Sequence, residues 1–155
     1  MAEPLTLTAP TAAAMQEIGE RLGRALAAGD VIALQGPLGA GKTTFVQGMA
    51  RGTGVPPGRH VASPTFALVN EHPGRVPLVH ADLYRIADPR ELDELGLDDA
   101  FDRAAVAIEW LDRFPDAAPP ERLEIEIEIA EDGSRRLTLR PRGARAAALV
   151  AALRD

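Results

Sequence analysis

The chain has 155 residues, of which 46% are hydrophobic, and its formal net charge is -6. This length predicts a single domain over residues 1–155 with one apolar core. The negative charge argues against a general nucleic-acid-binding surface, and we expect no direct sequence-specific binding of nucleic acid. Cysteine is absent, which excludes disulfides and thiolate catalysis. Without a signal peptide or an apolar run of about 20 residues, we expect a cytoplasmic protein that does not enter the membrane.

The first predicted elements are a helix and a buried strand. Apolar residues at spacings of three and four predict an amphipathic helix over residues 11–28, ended by Gly29. The apolar run 31–34 suits a buried strand, and residues 44–51 can form a second helix. A strand and a helix therefore flank the segment between them, residues 36–43.

Residues 36–43 read Gly-Pro-Leu-Gly-Ala-Gly-Lys-Thr and fit the phosphate-loop pattern G-x-x-x-x-G-K-[ST] at each fixed position. Glycines allow successive backbone N–H groups to point at phosphate oxygens, and the following helix adds the positive end of its dipole. The alternative is a glycine-rich turn that matches by chance. The residues predicted to bind a nucleoside triphosphate are Gly36, Pro37, Leu38, Gly39, Ala40, Gly41, Lys42, Thr43 and Thr44.

Two side chains of this loop carry most of the predicted chemistry. Lys42, the only lysine of the chain, would neutralise the β- and γ-phosphates. Thr43 would offer its hydroxyl to Mg²⁺, which prefers oxygen ligands and keeps several waters.

A predicted hairpin leads to the second candidate metal residue. Residues 66–69 and 76–80 are expected to pair as antiparallel strands, with Pro77 placing the second strand near an edge or making it irregular. Asp82 follows that strand. In phosphate-loop enzymes an aspartate in this place holds Mg²⁺ or one of its waters, and its alternative role is to cap a turn. His80 and Tyr84 receive no assignment.

The next segment supplies a candidate catalytic acid. Asp88 and Pro89 predict a helix start, and the acidic residues after them predict a solvated face that could meet a basic partner. The buried run 104–108 ends at Glu109, where open α/β sheets place ligand-handling residues. Glu109 either orients or deprotonates an attacking water, or is a surface carboxylate. Trp110 suits packing or a partner contact.

The C-terminal third predicts a hairpin and a helix. Residues 123–129 alternate apolar and acidic, Asp132-Gly133 is a turn signal, and the arginines of 135–140 can face the glutamates. A helix is expected over 144–153. The predicted architecture is α/β, a P-loop NTPase-like three-layer α/β/α sandwich with a mixed sheet and a C-terminal β-hairpin plus helix.

Four motifs in this order resemble the TsaE (YjeE) family, bacterial ATPases required to make threonylcarbamoyladenosine in tRNA. They are residues 36–45, Ser63-Pro64-Thr65-Phe66, His80-Ala81-Asp82-Leu83-Tyr84-Arg85 and Glu109-Trp110. The resemblance covers nearly the whole chain. It implies ATP and Mg²⁺ as cofactors.

The resemblance also implies roles for individual residues. Lys42 and Thr43 resemble the family's nucleotide and magnesium residues, Asp82 its second magnesium-site acid, and Glu109 its acid for hydrolysis. Thr65 lies where the family has a switch-like segment near the γ-phosphate. Near the nucleotide base the family often has a threonine where this chain has Met15, so the base contacts depart from the family pattern.

The implied partners are TsaD and TsaB, which transfer threonylcarbamoyl to tRNA, while ATP hydrolysis by this chain would reset that assembly. Contact with tRNA would then be indirect. Two other functions share the phosphate loop, namely a small-molecule kinase and a nucleotide-dependent interaction switch without hydrolysis. An arginine finger is not evident, and either Arg85 or a partner could supply it.

Overall fold

A computed structural model describes residues 3–56, 58, 61 and 69–154. The strands are β1 (Leu5–Ala9), β2 (Val31–Gln35), β3 (Val69–His72), β4 (Leu78–Asp82), β5 (Ala105–Glu109), β6 (Arg122–Ile129) and β7 (Arg135–Arg142). The α-helices are α1 (Ala12–Ala25), α2 (Lys42–Thr53), α3 (Leu97–Arg103) and α4 (Ala144–Leu153), and short 3-10 helices cover Pro89–Leu95, Leu111–Arg113 and Pro115–Ala117.

The strands form one mixed sheet in the order β1-β7-β6-β2-β5-β4-β3. Its centre is parallel, since β2 runs parallel to β5 and β6, and β4 runs parallel to β5. Both edges are antiparallel, through β3 on one side and the β7–β1 pair on the other. The carboxyl ends of β2, β4 and β5 therefore meet at one edge of the sheet, which is where α/β proteins place their ligands.

Alternate residues of the central strand β2 enter two separate cores. Ile32 and Leu34 are buried with residues of α1, α2 and α4. Val31 and Ala33 are buried on the other face with residues of α3 and the 3-10 helices. Because both faces of the sheet are covered, the strand is apolar throughout. The predicted α/β fold with three layers and a mixed sheet is confirmed.

Helices α1 and α2 cross closely because both have glycines four residues apart. The glycines are Gly19 and Gly23 in α1 and Gly48 and Gly52 in α2. A Cβ atom added to Gly48 would lie 2.1 Å from the carbonyl oxygen of Gln16, and one added to Gly23 would lie 2.3 Å from that of Met49. Neither backbone leaves room for a side chain at the crossing. The helix that follows the phosphate loop is thereby held against α1.

The helix and strand boundaries refine several sequence predictions. The first helix ends at Ala25, earlier than residue 28, because Leu26 is extended and the Asp30 carboxylate accepts from the Ala27 amide at 2.8 Å. Asp88 caps its helix as predicted, but the turns that follow are 3-10 rather than α-helical. Strand β1 was not predicted at all.

The two hairpins follow the sequence with small differences. Strand β4 begins one residue after Pro77 and lies second from the edge, since β3 forms the edge itself. Predicted strand residues 66–68 lie outside the described residues. Between β6 and β7 the predicted charge pairing is present at Arg140, which lies 3.4 Å from Glu126, and Arg142, outside the predicted set, lies 2.9 Å from Glu124. In the part of the chain that the structure describes, every helix is too short or too polar to cross a bilayer.

Replacing Gly48 by alanine tests the α1–α2 crossing. We expect Gly48→Ala to lower the free energy of unfolding by about 1–3 kcal/mol, because the added methyl must push the two backbones apart. Urea unfolding followed by circular dichroism measures this difference. Glu17→Ala, at an exposed position of α1, is the control and should stay within about 0.5 kcal/mol of wild type. An unfolding midpoint unchanged by Gly48→Ala would contradict the tight crossing.

Candidate functional site

The loop between β2 and α2 needs glycine at two of its positions. Gly41 has a left-handed backbone with φ 103° and forms the N-cap of α2. A Cβ atom on Gly36 would lie 2.7 Å from the carbonyl oxygen of Ile127 in β6. Only glycine meets both requirements without strain. The phosphate-loop pattern therefore coincides with the backbone geometry of this loop.

The ammonium group of Lys42 is buried at the start of α2. The residue is 7% exposed, and its Nζ donates a hydrogen bond to the carbonyl oxygen of Gly36 at 2.9 Å. The same Nζ lies 3.6 Å from Oε1 of Glu109 and 4.8 Å from the centre of the Trp110 ring. A carbonyl, a carboxylate and an aromatic face therefore surround the positive charge.

Glu109 connects Lys42 to a buried histidine. The carboxylate is 4% exposed, and its Oε2 lies 2.6 Å from Nε2 of His80, which is fully buried in β4. Burial raises the pKa of Glu109. The hydrogen bond and charge of His80, together with the charge of Lys42, lower this pKa by more than burial raises it. The net pKa lies below the ordinary value, so Glu109 is ionised at neutral pH.

Asp82 lies beside Glu109 because the two residues are paired in the parallel register of β4 and β5. Its Oδ1 accepts from the amide of Tyr84 at 2.9 Å, so the turn-capping contact considered from the sequence is present. Burial raises the pKa of Asp82, and the neighbouring Glu109 charge adds to this, while the Tyr84 amide and Lys42 partly oppose it. The fold therefore disfavours the charged form of Asp82.

These side chains share a cleft of about 550 Å³ at the carboxyl edge of the sheet. The cleft is lined by Leu38, Gly39, Gly41, Lys42, Thr43, Thr44, Asp82, Tyr84, Glu109 and Trp110. Of the predicted catalytic and metal residues, the structure brings together Lys42, Thr43, Asp82 and Glu109. Thr65 lies outside the described residues.

The donor set of the cleft suits a magnesium ion that shares its ligands with phosphate. Within the described ranges, no group of three or more His, Cys, Asp or Glu residues could hold a metal by itself. Thr43 and Asp82 offer a hydroxyl and a carboxylate on the wall of one cleft. Mg²⁺ commonly takes one or two protein oxygens and completes its octahedron with waters and phosphate oxygens. The residues present therefore fit the ion.

A second, smaller cavity of about 220 Å³ lies on the other side of the loop. Met15 lines it and is buried, with its Cε 3.3 Å from the place where a Cβ on Gly41 would stand. The N-cap residue of α1, Thr11, lines the same cavity and supplies a hydroxyl there. Met15 thus packs under the phosphate loop.

Two residues of the site were missed from the sequence. His80 had no assignment, although its place two residues before Asp82 on a strand parallel to β5 puts it on the same face as Glu109. Arg135 was expected only to pair with glutamates. Its Nε donates to the carbonyl oxygen of Ala40 at 3.0 Å and its Nη2 to that of Gly39 at 3.2 Å. No local signal reveals this contact, since Arg135 lies 95 residues after Ala40 and 96 after Gly39 in the sequence.

Hydrophobic side chains surround the mouth of the cleft. Leu38, in the loop itself, is 96% exposed. Tyr84 is exposed as well, and its ring lies 5.0 Å from that of Trp110. Among the described residues Trp110 is the one non-glycine residue with a positive φ, 64°, a backbone conformation that is often found at functional sites. Of the two roles that the sequence suggests for Trp110, packing and a partner contact, its contacts with Tyr84 and Lys42 are consistent with packing.

An α/β fold with a mixed sheet and a glycine-rich strand–loop–helix connection at its carboxyl edge is typical of the phosphate-loop class of proteins. The family model described as "Threonylcarbamoyl adenosine biosynthesis protein TsaE" matches residues 9–137. The chain belongs to the TsaE family.

Individual relatives agree with this assignment. A tRNA threonylcarbamoyladenosine biosynthesis protein TsaE from Bacillus subtilis is 46% identical over 112 residues, which cover 71% of this chain and 68% of that protein. The protein of the same name from a Nostoc species is 41% identical over 130 residues, 80% of this chain and 78% of its own length. The crystal structure of Bacillus subtilis YdiB superposes with a TM-score of 0.83 at 35% identity, covering 99% of this chain and 95% of that one.

Replacing Asp82 tests the direction of its pKa shift. Since the folded state raises this pKa, the ionised carboxylate lowers stability at neutral pH, and the penalty disappears in acid, where both folded and unfolded chains are protonated. We expect Asp82→Asn to raise the free energy of unfolding at neutral pH by up to about 1 kcal/mol, since solvent screens a partly exposed charge.

Urea unfolding in the presence of EDTA, at neutral and at acid pH, measures this effect, and the gain should vanish at the lower pH. Asp102→Asn, at an exposed position of α3, serves as the control and should change little. A loss of stability at neutral pH on replacing Asp82 would refute the raised pKa of this carboxyl group.

Proposed function

We propose that this chain is a magnesium-dependent ATPase whose hydrolysis step uses Glu109. The observation that carries the proposal is the buried contact between Lys42 and Glu109, 3.6 Å apart, at the end of a phosphate loop. It combines a cation suited to phosphate with a carboxylate suited to water in one cleft. Burying either of these two charges without the other would be unfavourable.

Binding of the triphosphate is assigned to the loop. Its amides, including those at the N-terminus of α2, would donate hydrogen bonds to phosphate oxygens, and Lys42 would exchange its contacts with Gly36 and Glu109 for contacts with the β- and γ-phosphates. Because the ammonium already lies beside the cleft, this exchange needs only a side-chain rotation. The fold thus holds the charge close to its proposed place of use.

Thr43 and Asp82 are proposed to hold the magnesium ion. When bound, Mg²⁺ would supply positive charge that offsets the negative charge developing on the phosphates during transfer. The raised pKa of Asp82 fits this role, since a nearby cation would restore the charged form that burial disfavours. Thr65 remains a proposed contributor near the γ-phosphate on the family resemblance alone.

Glu109 is proposed to orient the attacking water. Its pKa lies below the ordinary value for glutamate, so it is a weak base at neutral pH. A weak base can still accept a hydrogen bond from water and direct the oxygen towards phosphorus. Phosphoryl transfer depends mainly on positioning and charge stabilisation, so this contribution is sufficient.

Membership in the TsaE family supports a role in making threonylcarbamoyladenosine in tRNA. We propose that ATP hydrolysis resets a complex of TsaD- and TsaB-type partners, in the cytoplasm, and that tRNA meets this chain only through that complex. The net charge of -6 agrees with indirect contact. Exposed Leu38 and Tyr84 at the mouth of the cleft offer apolar surface for a partner.

One assay separates this proposal from its rivals. Phosphate release from ATP is measured with and without Mg²⁺, with and without TsaD- and TsaB-type proteins, and with a panel of small acceptors. Free phosphate that depends on Mg²⁺ supports the ATPase. A phosphorylated acceptor would instead identify a kinase, and ATP binding without turnover under every condition would identify a switch.

Replacing Lys42 tests the binding assignment. We expect Lys42→Met to weaken ATP affinity by about 2 kcal/mol or more, roughly 30-fold in Kd, because the loop amides would face the triphosphate without its buried cation. Calorimetry with ATP and Mg²⁺ measures the affinity. Arg51→Ala removes a positive charge from an exposed position of the same helix and should leave Kd nearly unchanged. Wild-type affinity in a folded Lys42→Met variant would show that the loop is not the site.

Replacing Glu109 separates binding from turnover. We expect Glu109→Gln to reduce single-turnover phosphate release by about 10²-fold or more, because an amide is a weaker acceptor than the carboxylate and holds the attacking water less well in line with phosphorus. ATP affinity should be retained or improved, because the carboxylate no longer competes with phosphate for Lys42.

The assay uses the partner proteins, so that a slow step on their side does not hide the effect. Glu71→Gln, at an exposed glutamate paired with Arg103 away from the cleft, is the matched control and should hydrolyse ATP normally. A Glu109→Gln variant with wild-type turnover would remove this residue from the mechanism.

A further inference from the structure

His80 is a fully buried histidine whose ring is hydrogen-bonded to the carboxylate of Glu109. It lies in β4 opposite Ala107 of β5, and Glu109 follows two residues later on the same face. The small side chain of Ala107 leaves the imidazole and the carboxylate in direct contact, with 2.6 Å between Nε2 and Oε2. Since the partner atom is a carboxylate oxygen, Nε2 carries the proton and donates it.

We infer that His80 is a positioning residue that holds the Glu109 carboxylate in the orientation needed to direct water at the γ-phosphate. This inference rests on the proposed ATPase function. His80 is fully buried and lies behind Glu109 in the neighbouring strand, so it would act on the reaction through that carboxylate.

The two oxygens of Glu109 have different partners, and only one of these partners is permanent. Oε1 faces Lys42 at 3.6 Å, a contact that Lys42 would give up when it turns to phosphate. Oε2 faces His80 at 2.6 Å, and this contact lies behind the cleft within the sheet. With nucleotide bound, His80 would therefore be the side chain that keeps the carboxylate from rotating.

Packing alone does not account for a histidine at this position. Its second ring nitrogen, Nδ1, is buried without a hydrogen-bond partner among the described residues. An unpaired buried nitrogen costs stability, and phenylalanine or leucine would fill the same space without that cost. The hydrogen bond to Glu109 is thus what histidine provides at this position and an apolar residue cannot.

The test uses two substitutions with opposite expectations. His80→Phe keeps the ring volume and removes the donor, and His80→Gln supplies an amide N–H that can reach the carboxylate. We expect His80→Phe to lower single-turnover phosphate release by about 10–100-fold, the usual effect of losing a group that orients an acting residue. His80→Gln should recover most of the rate.

Two controls separate positioning from a structural role. ATP affinity of His80→Phe should stay within about twofold of wild type, because the contact affects a step after binding. His72→Phe makes the same change at a buried histidine at the other end of the β3–β4 hairpin, where it pairs with Leu78, and should leave turnover unchanged. Circular dichroism and nucleotide stoichiometry establish that each variant is folded.

A double-mutant cycle with Glu109→Gln decides whether His80 acts through Glu109. In that background His80→Phe should have no further effect on phosphate release. Additive losses, wild-type turnover in His80→Phe, or failure of His80→Gln to recover activity would each overturn the inference. Absence of ATP hydrolysis by the wild type would instead refute the proposed function, so the two failures are distinguishable.

Discussion

The buried contact between Lys42 and Glu109 is the interaction on which the candidate site depends. Removing two charges from water is unfavourable unless each finds further partners. Lys42 finds the Gly36 carbonyl and Glu109 finds His80, so the loop, β5 and β4 are joined in one buried chain of contacts. Removal of any member leaves a buried charge with fewer partners. The side chains of the site are consequently held by one another, and a bound triphosphate would replace the contacts of Lys42 with Gly36 and Glu109 rather than build the arrangement anew.

Sheet topology explains why these residues meet. Parallel pairing of β2, β4 and β5 brings three strand ends to one edge, and the register places Asp82 opposite Glu109. The close glycine crossing between α1 and α2 then fixes the helix that begins with Lys42. The same arrangement places Met15 of α1 directly beneath Gly41, so the first helix supports the loop as well as the sheet.

The sequence predicted those parts of the site whose signals are local. The loop is contiguous, and Asp82 and Glu109 each follow an apolar strand, so pattern alone identifies them. His80 and Arg135 depend on which strands are neighbours, and that information is not local. Strand β1 was missed because its alternation covers only five residues and its partner is β7, at the far end of the chain. The turns of Pro89–Leu95 were expected as an ordinary helix, since capping signals mark a helix start without distinguishing 3-10 from α.

Arg135 gives the C-terminal hairpin a place in the site. Its guanidinium binds the carbonyl oxygens of Gly39 and Ala40. A cation on a carbonyl polarises the whole peptide group, so the N–H of the next residue becomes a stronger donor. The amide that follows Ala40 belongs to Gly41, at the N-terminus of α2, where an anion would bind. Strands β6 and β7 therefore do more than extend the sheet. Through Arg135, β7 would strengthen the amide donor of Gly41, so the loop depends on a residue far beyond its own motif.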